Sequence, residues 1–336
     1  DLNREEYRRR ASQGKWDAVH VGTMWRGRRE RKSVREGAWD ASVLLPVKTA
    51  PKGCARVAVE SVVHPLLVGK FAPEVSRIQL VVVDDGCCDG SVDDILDWCR
   101  SLGTDGEKED DVGSEGREEE QVSMVEIWDH RGEKTHYVRK LRGTNSSGAT
   151  VLVDIVSTPS CEGVRAALNY GMTLCRAPLI VRMDADDVSH PDRLPLLLSA
   201  LRADPALALV GTSAVRFSHA GGVPALAPHP SDPLLTAWSL LFSCTLCHPS
   251  VAFRRDRLGG YEPGPAEDYA TWLRMLRNRG KMRSLPLVGL WYRRHGENVS
   301  GQKREDRRRH AEAESRRTLE FLLGEEVTED VTRCLR

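Results

Sequence analysis

The chain has 336 residues, and its 49 lysines and arginines balance 49 aspartates and glutamates, for a formal net charge of zero. That length buries a sizeable core, as one large α/β domain with appendages or as two domains. The charge balance excludes a molecule built on global attraction to nucleic acid or an anionic membrane. No apolar run approaches the ~20 residues of a membrane span, and no signal-peptide pattern is visible. The chain begins at Asp1 rather than Met, which leaves a leader or anchor open; the compartment is unassigned, with the cytoplasm favoured.

Residues 1–40 are polar and arginine-rich (Arg26, Arg28, Arg29, Arg31, Lys32, Arg35) and are expected to form an extension outside the core. Ser42 to Val47 is the first expected strand, stopped by Pro46 and the polar Lys48-Thr49. A helix over Gly53 to Leu67 follows, then Ile78 to Val83, a β-branched run typical of a doubly covered parallel strand. That strand ends in Asp84-Asp85-Gly86, and a helix over Val92 to Arg100 comes next. From 101 to about 150 the pattern lapses into a low-complexity acidic insert, with one short strand expected at Val122 to Trp128.

Order resumes with a strand at Val151 to Val156. The helix from Gly163 to Met172 follows, where the small Gly163 and Ala167 allow close packing and Arg165 and Asn169 share a face toward a crevice. Leu179 to Met183 is a buried strand ending in Asp184, Asp186 and Asp187. Acids there either cap the helix that begins near Pro191 or project into the crevice where open α/β sheets bind ligands. Clustered hard oxygens suit Mg²⁺ or Mn²⁺. A helix carrying Leu194, Leu197, Leu198 and Leu201 leads to a strand at Leu207 to Val210, closed by Gly211. Residues 219–235 are expected as a loop and His248 to Arg254 as a strand. A helix opens at Glu267-Asp268 with Tyr269, Trp272, Leu273 and Leu276 as its buried face. Leu285 to Trp291 is the last strand, and residues 301–336 form a charged helical tail.

The nine cysteines are odd in number, show no framework spacing and are expected to be mostly reduced. Cys244-Thr245-Leu246-Cys247-His248 matches a haem-attachment pattern, but nothing around it supplies the secretory setting that haem attachment needs. Asn145-Ser146-Ser147 and Asn298-Val299-Ser300 are glycosylation sequons only if the chain is secreted.

Several motifs in one order resemble the family 2 glycosyltransferases, over roughly residues 41–300. They are Ser42-Val43-Leu44-Leu45-Pro46, Val82 to Gly86 with Asp89-Gly90-Ser91, Ala167 to Gly171, Met183 to Asp187 with Pro191 to Leu194, His248-Pro249-Ser250, Glu267-Asp268-Tyr269 with Trp272 to Arg274, and Tyr292 to His295. The resemblance implies a GT-A fold, an α/β architecture with a mostly parallel central sheet flanked by helices. It implies a nucleotide-sugar donor, most simply a UDP-sugar, an unknown hydroxyl acceptor, and a divalent metal, Mn²⁺ or Mg²⁺. It also implies site roles. Asp85, with Pro46 and Val47, would bind the uracil ring, and Arg165 would add charge beside the nucleotide. Asp184 would face the sugar or ribose, and Asp186 would ligate the metal, with His295 completing the metal site, touching the phosphates, or acting as a capping or core histidine. Asp268 would be the base of an inverting transfer, with Glu267 beside it, and His248 would line the acceptor side. The dipole of the helix they open would lower the pKa of both acids.

Two departures lie near the base-binding loop: Thr49 stands where the family often has Asn, and Cys87-Cys88 where it has Ser-Thr. The processive-synthase QxxRW signature is absent, which favours transfer of a single sugar. A sugar-nucleotide pyrophosphorylase would need a glycine-rich basic loop near the start of the fold, and Pro46 to Gly53 matches that poorly. A non-catalytic nucleotide-binding or scaffold protein is the remaining alternative.

Overall fold

The computed structural model describes residues 39–68, 75–102, 125–128, 134–142, 149–158, 161–218, 221–295 and 304–327. The basic extension, most of the acidic insert and both sequons lie outside the described residues. The elements run β1 (Ala41–Val47), α1 (Cys54–Leu67), β2 (Arg77–Asp84), α2 (Ser91–Ser101), β3 (Val125–Trp128), β4 (Lys134–Arg142), β5 (Thr150–Ser157) and α3 (Val164–Leu174). They continue with β6 (Leu179–Arg182), β7 (Val188–Ser189), α4 (Arg193–Ala203), β8 (Leu207–Ser218), β9 (Ala225–Ala227), α5 (Pro233–Leu240), a 3-10 turn at His248–Ser250 and β10 (Ala252–Arg254). The last are α6 (Arg255–Leu258), α7 (Glu267–Arg277), β11 (Lys281–Arg294) and α8 (Arg304–Leu323).

One sheet joins these strands in the order β3-β4-β5-β2-β1-β6-β10-β8-β11-β7, with β9 on β8. Its centre, β5-β2-β1-β6, is parallel, and the sheet as a whole is mixed because β10 runs antiparallel to both neighbours. Strand side chains alternate between faces, so a sheet covered on both sides needs apolar residues at every position. β1 meets that demand except at Ser42, whose hydroxyl donates to Gln79 Oε1 of β2 at 2.7 Å: Val43, Leu45 and Val47 enter one core with α1, α2 and α4. Leu44 enters the other, with Val81, Val83, Leu168, Trp272 and Leu273.

Pro46 does not stop β1. It pairs with Val83 of β2, whereas pairing with β6 ends at Leu44, so the missing N–H falls beyond the last β1–β6 pair, where a proline is tolerated. Nor does Gly211 close β8. A Cβ there would meet Ser284 Oγ at 3.3 Å and Ser250 Oγ at 3.4 Å, so the glycine marks crowding inside a longer strand. The first residues expected in the strand at His248 instead form a turn, in which Ser250 Oγ donates to Cys247 O at 2.8 Å. The expected loop at 219–235 holds β9 and the start of α5, which Asp232 caps by accepting from Leu235 N at 2.8 Å. β4 was not legible at all; it pairs antiparallel with β5 from His136↔Val156 to Arg142↔Thr150, a ladder that outweighs its polar composition.

Close packing of α3 depends on Gly171, since a Cβ there would lie 2.4 Å from Leu44 Cδ1 and 2.6 Å from Val83 Cγ2. Gly163 has another task, at φ 91° just before the helix. No helix among the described residues is long and apolar enough to cross a membrane.

Candidate active site

From β1 the sheet extends through β2 on one side and through β6 on the other. Such a reversal of strand order opens a crevice beyond the carboxyl ends of the strands. Leu44 is in register with Arg182, so Pro46 and Val47 on one strand and Asp184 beyond the other flank that crevice.

On the β6 side, Asp184, Asp186 and Asp187 each offer a carboxylate oxygen within 4.8 Å of the other two. They differ in exposure. The Asp184 side chain is 28% exposed and Asp186 18%, whereas Asp187 is 1% exposed. Asp187 Oδ1 accepts the Arg293 N–H at 2.8 Å, and its Oδ2 is buried without a hydrogen-bond partner among the described residues. Burial, reinforced by Asp184 and Asp186, pushes the Asp187 carboxyl well above the usual range, although the Arg293 amide opposes the shift. Burial also raises Asp184, against the opposing pull of Arg182. Asp186 Oδ2 lies 2.7 Å from His295 Nε2, and the Asp186 carbonyl accepts from Arg293 Nε at 2.7 Å.

Two buried arginines support the cluster from below. Arg182 forms an ion pair with Asp184, and its amide donates to Val251 O at 2.9 Å. Arg193 donates to Met183 Sδ and Ser189 Oγ, each at 3.2 Å, and to Pro249 O at 2.8 Å. It also bonds the Arg182 carbonyl. Burial lowers the Arg193 pKa to about 10. Sequence reasoning passed over both; their signals were an arginine inside the apolar run Leu179 to Met183 and another directly after Pro191-Asp192.

At the β2 end, Asp84 and Asp85 divide the work. Asp84 Oδ1 accepts the amides of Gly86 at 3.0 Å and Cys87 at 2.7 Å, shaping the turn. Asp85 is 1% exposed. Its Oδ2 accepts the Gly163 N–H at 2.9 Å, with Lys48 Nζ at 3.7 Å, and its Oδ1 accepts from Thr158 Oγ1 at 3.2 Å. Burial raises the Asp85 pKa despite Lys48 and these hydrogen bonds. Each carboxylate oxygen can accept twice, so Asp85 keeps acceptor capacity while joining three loops. Asp89 adds another tie, accepting from Ala50 N and Ser91 N at 2.9 Å each. Arg165 stands on the first turn of α3, two residues after Gly163, partly exposed.

Glu267 and Asp268 open α7. Their environment overturns the expectation of a lowered pKa for Glu267: burial, with Asp268 adding to it, raises its carboxyl to about 7, and this outweighs the helix dipole. Asp268 is near enough to Asp184 to push that carboxyl up by repulsion. Arg307 of α8 stands 3.8 Å from each of Glu267 Oε2 and Asp268 Oδ1.

His248 is held in an aromatic group. Its Nε2 lies 2.9 Å from Tyr261 Oη, and it packs against Tyr261 and Trp272 at centroid distances of 5.2 and 5.8 Å. Burial lowers its pKa well below the usual value, and Arg182 and Arg307 act in the same direction, so the ring is neutral. Asn169 is engaged by the loop before α7. Its side chain clamps the Tyr261 backbone, accepting from N at 2.8 Å and donating to O at 3.2 Å. Trp272 and Tyr269 are buried core residues.

Residues 149–257 match the family model described as glycosyl transferase family 2. Among curated relatives, the O-antigen biosynthesis glycosyltransferase WbnJ of Escherichia coli is 35% identical over 144 residues, covering 41% of this chain and 55% of that protein. The UDP-Gal:alpha-D-GlcNAc-diphosphoundecaprenol beta-1,3-galactosyltransferase of E. coli is 31% identical over 121 residues, covering 34% of this chain and 44% of that protein. The chain spans about half the length of the curated relatives it matches. Among solved structures, the mannosyltransferase PcManGT of Pyrobaculum calidifontis, in complex with GDP-Man and Mn²⁺, is similar with a TM-score of 0.51 at 14% identity, covering 94% of this chain and 73% of that one. S. aureus TarS 1-349 in complex with UDP-GlcNAc is similar with a TM-score of 0.51 at 14% identity, covering 88% of this chain and 70% of that one. The fold is therefore of the GT-A type. The likeness to the family 2 glycosyltransferases lies in residues 149–257.

Proposed function

We propose that this protein is a metal-dependent, inverting glycosyltransferase that moves one sugar from a nucleotide-sugar, a UDP-sugar in the simplest case, to a hydroxyl of its acceptor. The observation that carries the reading is the acidic cluster of Asp184, Asp186 and Asp187, oxygens within 4.8 Å, beside the crevice at which β1 and β6 part. The E. coli relative named for UDP-Gal and the TarS complex with UDP-GlcNAc support the choice of donor.

Asp186 and His295, with Asp184 beside them, are assigned to a Mn²⁺ or Mg²⁺ ion. The fit rests on hard carboxylate donors and on Asp187 Oδ2, a buried oxygen without a partner among the described residues. When bound, the metal neutralises the diphosphate leaving group. The chain's own groups do the rest. Asp85, flanked by Pro46 and Val47, receives the uracil ring on the acceptor capacity that Gly163 and Thr158 leave free, and Arg165 adds positive charge beside the nucleotide. Asp184, oriented by buried Arg182, faces the donor sugar or ribose. Asp268 takes the acceptor hydroxyl's proton as the oxygen attacks C1 opposite the departing diphosphate. Glu267 and His248 border the acceptor side, where Glu267 supplies a second acid and His248 a fixed neutral wall.

The test is release of nucleoside diphosphate from UDP-glucose, UDP-galactose, UDP-N-acetylglucosamine and GDP-mannose, with and without Mn²⁺. Asp186→Ala and Asp268→Asn are expected to lose turnover while retaining the wild-type melting transition. Full activity in both variants sinks the reading.

A further inference from the structure

The acids that open α7 are faced by a guanidinium of α8. Arg307 lies 3.8 Å from both Glu267 and Asp268. Its Nη1 donates to Pro265 O at 2.6 Å, which ties it to the loop entering α7. The ion-pair spacing is looser than a hydrogen bond, so Arg307 supplies charge to the pair without consuming the carboxylate lone pairs.

The placement of Arg307 is built, since α8 is fastened along its length. His310 packs over Gly264, where an added Cβ would come within 2.2 Å of the ring; Gly264 has φ +114°. Arg277 of α7 donates to Thr318 Oγ1 at 2.7 Å and reaches Glu314 at 3.4 Å. Ser315 Oγ bonds the Leu241 carbonyl. The same loop, 263–265, therefore carries a glycine shaped to receive α8, a carbonyl that holds Arg307, and the approach to Glu267-Asp268.

We propose that Arg307 is a positioning residue of the transfer reaction, aligning the Glu267–Asp268 pair, and that α8 is thereby part of the active site. The proposal deepens the glycosyltransferase reading and rests on Asp268 as base. A cation at this distance favours the ionised pair and fixes its orientation. Removing it leaves two adjacent acids facing each other and Asp184 without that counter-charge.

The experiment uses the full chain, with UDP release from the most active of the three UDP-sugars as readout and UDP binding in Mn²⁺ measured by calorimetry. Arg307→Ala is expected to lower kcat by at least tenfold with the donor KM and UDP affinity within twofold of wild type. Arg307→Lys, or guanidinium added to Arg307→Ala, restores part of kcat. If Arg307→Ala melts early, Arg307→Gln carries the test, because it keeps a donor for Pro265 O and removes the charge. Unchanged kcat in the Arg307 variants while Asp268→Asn is inactive overturns the proposal and leaves the base assignment standing. Loss of UDP affinity in step with kcat, without rescue, also overturns it, by assigning Arg307 to the leaving group. An active Asp268→Asn overturns both readings.

Discussion

Asp186 Oδ2 and His295 Nε2, 109 positions apart in the chain, meet at 2.7 Å. One end of the contact stands just beyond β6 and the other just beyond β11, so the sheet itself sets the distance. Groups that orient a metal-binding carboxylate typically cost 10- to 100-fold in metal affinity when removed. His295→Ala is expected to weaken Mn²⁺ binding by about that factor, and Asp186→Ala to weaken it further. Thermal shift against Mn²⁺ concentration in the presence of UDP measures both.

Asp187 is expected to matter for folding as well as for the acidic cluster. Its Oδ1 holds the Arg293 amide, and burial pushes its carboxyl well above the usual range. Asn keeps an acceptor oxygen for this amide, so Asp187→Asn should fold nearly as well as wild type. Asp187→Ala strands a buried N–H and should cost about 1–3 kcal/mol. Urea unfolding separates the two.

Glu267 predicts a pH dependence of stability. A carboxyl whose folded pKa is raised from 4.5 to about 7 favours the fold below 4.5 and loses that contribution as pH rises through 7. The wild type should therefore lose stability relative to Glu267→Gln between pH 4.5 and 7, with no further divergence above. Melting temperatures of both proteins across pH 4 to 8 check the sign.

Gly171 has no space for a methyl group, lying against Leu44 and Val83. Gly171→Ala should destabilise the protein by about 1–3 kcal/mol through overpacking. Guanidinium denaturation measures the loss. Because β1 and β2 carry Pro46, Val47 and Asp85 at their ends, weaker UDP binding is expected to accompany it.

The strands and helices of the parallel core were legible because both faces of its sheet are covered, which forces apolar runs such as Leu80 to Val83. The acids at strand ends were legible as a repeated break from apolar to charged. What stayed hidden is long-range. β4 owes its existence to a ladder with β5, and the roles of Arg182 and Arg193 depend on being buried together. The raised pKa of Glu267 arises from packing that no helix-start pattern encodes. Asn169, expected on a crevice face, is occupied by Tyr261, a residue whose proximity only the folded chain reveals. Arg307 had no local signal, because a charged helix at the end of a chain looks the same whether it is packed or free.

The eight paired positions of β2 and β5, from Arg77↔Thr150 to Asp84↔Ser157, bridge the site at which the acidic insert leaves the sheet. A nick between 103 and 124 would place Asp85 on one fragment and Asp184, Asp186, Asp268 and Arg307 on the other without interrupting any described strand. The two pieces would still share the β1–β6 and β2–β5 ladders as their mating surface. The molecule thus contains a natural division into two complementary halves, and recovery of turnover would report their reassembly.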